Sequence, residues 1–153
     1  MSKEIEHKYL LIDDSYKSLV SDRLHIIQGY ISRDKNHTVR VRIVNDRAVI
    51  TLKGVNKGDT RAEFEYPVSV ADAEEMLANL CEPPVIEKYR NIVIFSGNRW
   101  EIDEFQGALK GLVMAEIEIA SSDYQYAIPP FIGKNVTNDA RYYNSNLIDK
   151  VPE

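Results

Sequence analysis

The sequence predicts an α+β fold in which eight strands form a mainly antiparallel sheet or barrel and a few short helices cover it. Three observations predict this. Eight segments alternate apolar and polar residues with period two, the pattern of strands. Turn-forming stretches, VNDR, GVNKGDT, SGN and GALKG, separate neighbouring segments at hairpin distance. Segments with helical spacing are few and short.

The first strand is EIEHKYLLI (Glu4–Ile12), and a short helix is expected around Asp14–Arg23. Four strands follow: IIQGYISR (Ile26–Arg33), HTVRVRIV (His37–Val44), AVITLKG (Ala48–Gly54) and RAEFEYPV (Arg61–Val68). SVADAEEMLANL (Ser69–Leu80) reads as a helix, because Ala71, Met76, Leu77 and Leu80 recur at helical spacing. Ser69 or Asp72 suits its N-cap, and Pro83–Pro84 stops the chain soon after. The last three strands are VIEKYRNIVIF (Val85–Phe95), RWEIDEF (Arg99–Phe105) and LVMAEIEIA (Leu112–Ala120). SSDYQYAI (Ser121–Ile128) has room for a single turn, and a final short helix is expected from about Asn144 to Lys150. No repeat, linker or low-complexity stretch divides the chain, so residues 1–153 are expected to form one domain.

Composition narrows the function classes. At 44% hydrophobic and 28% charged the chain falls in the ordinary soluble globular class. It has no run of about 18 apolar residues and no basic-then-apolar leader, so a cytoplasmic protein with no membrane partner is expected. Cys81 is the only cysteine, which excludes an internal disulfide and a cysteine zinc site. The net charge of -5 argues against nucleic acid as a partner.

Where the charges fall says more than their sum. Residues i and i+2 of a strand share a face. On that rule Glu4, Glu6 and Lys8 stand together, as do Arg40 and Arg42, Lys53 and Thr51, Arg61, Glu63 and Glu65, Lys88 and Arg90, Glu101 and Asp103, and Glu116 and Glu118. The opposite faces carry Ile5, Val41, Phe64, Trp100, Ile117 and similar residues. A half-buried sheet would show the charged face to water. Two like charges about 7 Å apart repel by only roughly 0.6 kcal/mol there, so repulsion does not exclude that arrangement. A solvated face usually mixes signs, however, whereas here acids and bases segregate by strand. Carboxylate clusters suit hard cations, and separate Arg and Lys clusters suit phosphate oxygens. On pattern alone the wet face and the inward face both stand.

Specific residues go further. EIEHK fits E-x-E-x-K, and the chain continues with QGYI (Gln28–Ile31), VRVR (Val39–Arg42), TLKG (Thr51–Gly54), RAEFEY (Arg61–Tyr66), EKYR (Glu87–Arg90), WEIDEFQG (Trp100–Gly107), AEIEI (Ala115–Ile119) and VTNDARYYN (Val136–Asn144). This ordered set resembles the CYTH superfamily, the triphosphate tunnel metalloenzymes, and in particular their compact bacterial tripolyphosphatase-like branch. The resemblance implies a closed eight-stranded antiparallel β tunnel with a charged lumen. It also implies hydrolysis of inorganic triphosphate with Mg²⁺ or Mn²⁺, and action on nucleoside triphosphates as well. Carried over by position, Glu4, Glu6, Glu116 and Glu118 would hold a metal ion with Asp103 near them, and Glu63 and Glu65 would serve a second metal or orient water. Lys8, Arg40, Arg42, Lys53, Lys88, Arg90 and Arg141 would hold phosphates, and Tyr30 would partner Lys8 in catalysis.

Each position also has an ordinary alternative: Tyr30 as packing, Arg141 as a surface arginine, Trp100 and Phe64 as core, His7 as structural. Two other functions share the scaffold, a class IV-type adenylate cyclase and a non-catalytic polyphosphate-binding module. The short chain offers no extra segment for an adenine pocket, and the full set of acidic pairs favours catalysis. The expected partner is a triphosphate-containing small molecule, with monomer and homodimer both open.

Overall fold

A computed structural model describes residues 3–150, the side chains of Ile148 and Lys150 excepted; the outermost residues of the expected 1–153 domain lie outside the described range. Strand β1 (Lys3–Leu11) is followed by a 3₁₀ turn (Ser15–Leu19) and a long β2 (Val20–Asp34). β3 (His37–Val44), β4 (Arg47–Lys53) and β5 (Thr60–Val68) continue as hairpins into helix α1 (Val70–Asn79). β6 (Glu82–Phe95), β7 (Asn98–Phe105) and β8 (Val113–Glu118) complete the wall, and a short β9 (Ile132–Asn135) follows. The neighbour order β5-β4-β3-β2-β6-β7-β8-β1 closes on itself through β5–β1, so eight antiparallel strands form a barrel.

The closure is uneven. β1 meets β5 only at Lys3–Ile5, then presents the same edge to β9 at Tyr9 and Leu11. Between them, the Glu6 N–H donates to the Asp59 carbonyl at 3.2 Å. Beyond it, the Lys8 N–H donates to Thr137 Oγ1 at 3.1 Å and the Lys8 carbonyl accepts from the Val136 N–H at 2.8 Å. Side-chain and loop groups thus satisfy the backbone where no strand does.

The apolar faces that parity sorts together point outward. Tyr9, Val93, Trp100, Ile102, Ala115 and Ile117 form one outer core under Tyr16 and Phe131. Val41 and Ala48 form a second under Ala73, Met76 and Leu77 of α1. That helix starts at Ser69, whose side chain accepts from the Asp72 N–H. Ile86, Phe105, Met114, Val136 and Leu147 form a third at one end of the barrel.

Several expectations need correction. The helix around Asp14–Arg23 is confined to the 3₁₀ turn, because the chain from Val20 onward pairs with β6 as far as Val93. β9 has four residues and no alternation to announce it. The final segment, Asn144–Lys150, winds as 3₁₀ helix. Phe64 is not core: it is 43% exposed, while α1 packs mainly over β2, β3 and β4. No helix among the described residues is long and apolar enough to cross a membrane.

Candidate active site

The inward faces converge on one cavity lined by Glu4, Glu6, Lys8, Tyr30, Arg40, Arg42, Lys53, Glu63, Glu65, Arg90, Glu116 and Glu118 among others. Register explains the convergence. Facing pairs across the ladders are Glu6 with Glu118, Lys8 with Glu116, Lys53 with Glu63, Tyr30 with Arg40 and Arg90 with Asp103. Each strand supplies its polar parity, and closure turns these rows into one ring.

Acids gather in one sector. Glu4, Glu63 and Glu118 each place a carboxylate oxygen within 4.8 Å of the other two. Burial, then the neighbouring Glu116, pushes Glu6 up to about 7, against the pull of Lys8. Burial also raises Glu118, with Glu4 and Glu6 adding to it, and it raises Glu4 despite Lys53 at 2.8 Å. These carboxylates repel one another, and an all-oxygen set of this kind fits a hard divalent cation.

Bases gather around Arg42. Burial, then Arg40 and Arg90, pushes Arg42 down to about 9. Burial pushes Lys88 down to about 7, with Arg90 and Arg42 adding to it and Asp103 opposing. Arg42 leans on the Gln28 carbonyl oxygen through Nε and Nη2, at 2.8 and 2.6 Å, and has no carboxylate partner among the described contacts. Arg40 keeps a buried Nε without a partner. A cluster of crowded cations with spare donors fits a polyanion.

Lys8 sits where the sectors meet. Burial works against its ammonium, yet Glu116 and Glu6, at 3.8 and 3.6 Å, hold it above the ordinary lysine value.

Three of the expected residues are placed differently from the rest. Lys88 is fully buried behind the lining, with Nζ 2.7 Å from Asp103 Oδ2. Asp103, 1% exposed, spends its oxygens on Lys88 and on the Arg90 fork at 2.8 and 2.9 Å. Arg141 lies outside the lining, with Nη2 2.6 Å from the Asp139 carboxylate. Several lining residues had no role assigned from the sequence. Arg61 and Glu101 share the parity of assigned neighbours and were findable on that signal. Asn56, Asp59, Thr137 and Tyr143 come from loops and Asn144 and Ser145 from the start of the last 3₁₀ segment, none of which carries a strand's alternation.

The His7 side of the wall is structural. Its ring bridges Asp59 at 2.8 Å and Tyr126 at 2.6 Å, and Tyr126 meets Tyr9 at 2.6 Å.

A sequence profile described as the CYTH domain matches residues 2–152. The inorganic triphosphatase of Acetivibrio thermocellus is 49% identical over 148 residues, covering 97% of this chain and 94% of that one. The inorganic triphosphatase of Nitrosomonas europaea is 32% identical over 156 residues, covering 97% and 99%. Among solved structures, the inorganic triphosphatase NE1496 superposes with a TM-score of 0.68 at 29% identity, covering 100% of this chain and 99% of that one.

Proposed function

The chain belongs to the CYTH domain family, and on that footing we propose that it is a divalent-metal-dependent hydrolase of inorganic triphosphate. The observation that carries the proposal is the double frustration of the lumen. Glu6 and Glu118, raised by burial and then by neighbouring carboxylates, face Arg42, lowered by burial and then by neighbouring arginines, inside one buried ring. A ligand that brings cation and polyanion together relieves both sectors, and a metal-complexed triphosphate is such a ligand. Residues 1–153 act as one tunnel domain in this reading.

Glu4, Glu63 and Glu118 would hold the cation, Mg²⁺ or Mn²⁺, with Glu6, Glu116 and the more exposed Glu65 in the same lining. When bound, such a cation neutralises charge that develops on phosphate oxygens. Arg40, Arg42, Arg90, Lys8 and Lys53 hold the chain of phosphates, with Arg42 aimed by Gln28 and Arg90 by Asp103. Lys88 acts from behind, by fixing Asp103. Tyr30, buried beside Arg40 in register, flanks the phosphate path. Water attacks the terminal phosphorus, the bridging P–O bond breaks, and phosphate leaves with pyrophosphate. Catalysis of this kind is positioning and electrostatics, which a rigid ring of paired side chains supplies. Arg141 takes no part in this scheme.

The lining carries no aliphatic side chain among the described residues, and its charged makeup suits a polyanion better than an adenine ring. The test is phosphate release from tripolyphosphate and ATP with Mg²⁺, Mn²⁺ or EDTA, alongside a cyclic AMP assay. Expected is phosphate from tripolyphosphate, abolished by EDTA. Cyclic AMP formed from ATP without phosphate release would overturn the hydrolase reading.

A further inference from the structure

We propose that Arg33 is a positioning residue for this reaction: from outside the lumen it clasps the C-terminal segment and so seats Tyr143 against Lys8 and Asn144 against Glu116. The proposal rests on the hydrolase reading above.

Arg33 stands near the end of β2, and its guanidinium reaches three parts of the chain. Nε donates to the Ser145 carbonyl at 2.8 Å. Nη1 donates to Glu82 at 3.1 Å, and Nη1 and Nη2 fork onto Asp149 at 3.2 and 2.7 Å. The side chain is 19% exposed, so these bonds are partly shielded from water. The segment it holds is anchored below by Leu147, which is fully buried against the third apolar cluster.

What the clasp presents to the lumen is specific. Tyr143, Asn144 and Ser145 line the cavity but belong to no strand, so no ladder fixes them. Asn144 Nδ2 lies 3.4 Å from Glu116 Oε1. The Tyr143 ring centroid lies 5.7 Å from Lys8 Nζ, within cation–π range. Lys8 needs such guidance, because its contacts to Glu6 and Glu116, at 3.6 and 3.8 Å, are too long to aim an ammonium. Both touched groups line the cavity, and a displacement of about 1 Å at such groups can cost about 100-fold in rate. A planar guanidinium can serve a carbonyl and a carboxylate at once in fixed geometry, which a lysine cannot.

The test is a double-mutant cycle on the full chain, with tripolyphosphate and Mg²⁺. Arg33→Met and Tyr143→Leu are each expected to lower kcat/KM by about 10-fold, and the double variant by no more than about 20-fold, because both act on one element. Arg33→Lys is expected to resemble Arg33→Met. Independent factors that multiply to about 100-fold, or an Arg33→Met enzyme within about twofold of wild type, would overturn the clasp. If Arg33→Met does not fold, as judged by circular dichroism, Asp149→Asn replaces it, since it opens the fork at an exposed side chain. It is expected to show the same non-additivity with Tyr143→Leu, and simple multiplication would overturn the clasp there too. A wild type inactive on tripolyphosphate removes the hydrolase reading and the clasp together. An active wild type with an indifferent Arg33→Met removes the clasp alone.

Discussion

Asp103 is the buried counter-charge of the basic sector, so Asp103→Asn has a calculable consequence. The substitution keeps the volume but leaves Arg90 and Lys88 without their anion, at a position 1% exposed. Removing one partner of a buried ion pair costs about 3–5 kcal/mol. In a chain of this size each kcal/mol moves the melting temperature by about 2–4 °C, so a fall of roughly 10 °C is expected. The loss should also depend on pH. Burial sets Lys88 down to about 7, with Asp103 pulling the other way; without Asp103 it falls further. Below that point the wild type keeps a paired Lys88 cation, while the variant must bury it unpaired or strip its proton. The folded wild type therefore binds more protons than the folded variant, and the deficit grows as pH falls. Above it Lys88 is largely neutral in both, and only the lost Arg90 fork remains. Thermal unfolding followed by circular dichroism between pH 5.5 and 8.5, in EDTA, checks this. A deficit under about 3 °C, or one that narrows toward acid, would refute the reasoning.

Three further outcomes are expected. Tyr16 donates a hydrogen bond to Glu104; burial works against that carboxylate, but the Tyr16 hydroxyl and then Arg23 hold it below the usual range. Its contribution is present above the unfolded value of about 4.3 and lost as pH falls through the folded one, so Tyr16→Phe should lower the melting temperature at pH 7 and the gap should close toward pH 3. A Cβ at Gly29 would meet Cys81 and the Leu77 side chain of α1 at 3.0 Å, so Gly29→Ala should cost about 1–3 kcal/mol in a urea titration. Glu118→Gln should raise the Mg²⁺ concentration for half-maximal phosphate release by at least about 10-fold, and an unchanged metal curve would remove Glu118 from the cation site.

The wall of this barrel was legible because a strand writes its facing into every second residue. Glu4, Arg40, Glu63, Arg90 and Glu116 could be sorted onto the charged faces by parity, and barrel closure turns those faces inward. Closure was not legible in the pattern: it depends on β5 reaching β1 from far along the chain, and alternation carries no record of which edges meet. Depth was also hidden. Lys88 and Arg90 share a parity, yet one is sealed behind Asp103 and the other lines the cavity, a difference set by the barrel's stagger. Loop residues such as Asn56 and Asp59 left no signal, because a loop has no period.

A charged lumen does not hold itself together. Buried ion pairs such as Lys88–Asp103 contribute little net stability once the desolvation of both ions is counted. The outer apolar layers must therefore carry the fold, at about 1.5–3 kcal/mol for each large side chain fully buried. Those layers are thick over β7 and β8, where Trp100, Ile102 and Ile117 are sealed, and thin over β5, where Phe64 and Tyr66 stand exposed. The thin sector is also the weak seam, since β5 meets β1 at only Lys3, Glu4 and Ile5. Glu4, Glu63 and Glu118 come from β1, β5 and β8, so a cation they share would tie the two sides of that seam to the wall beside it. Lys53 already bridges it in part, at 2.8 Å from Glu4 and 3.4 Å from Glu63. Metal binding and barrel closure then draw on the same carboxylates, and the sector with the least apolar cover is the one the cation would stabilise.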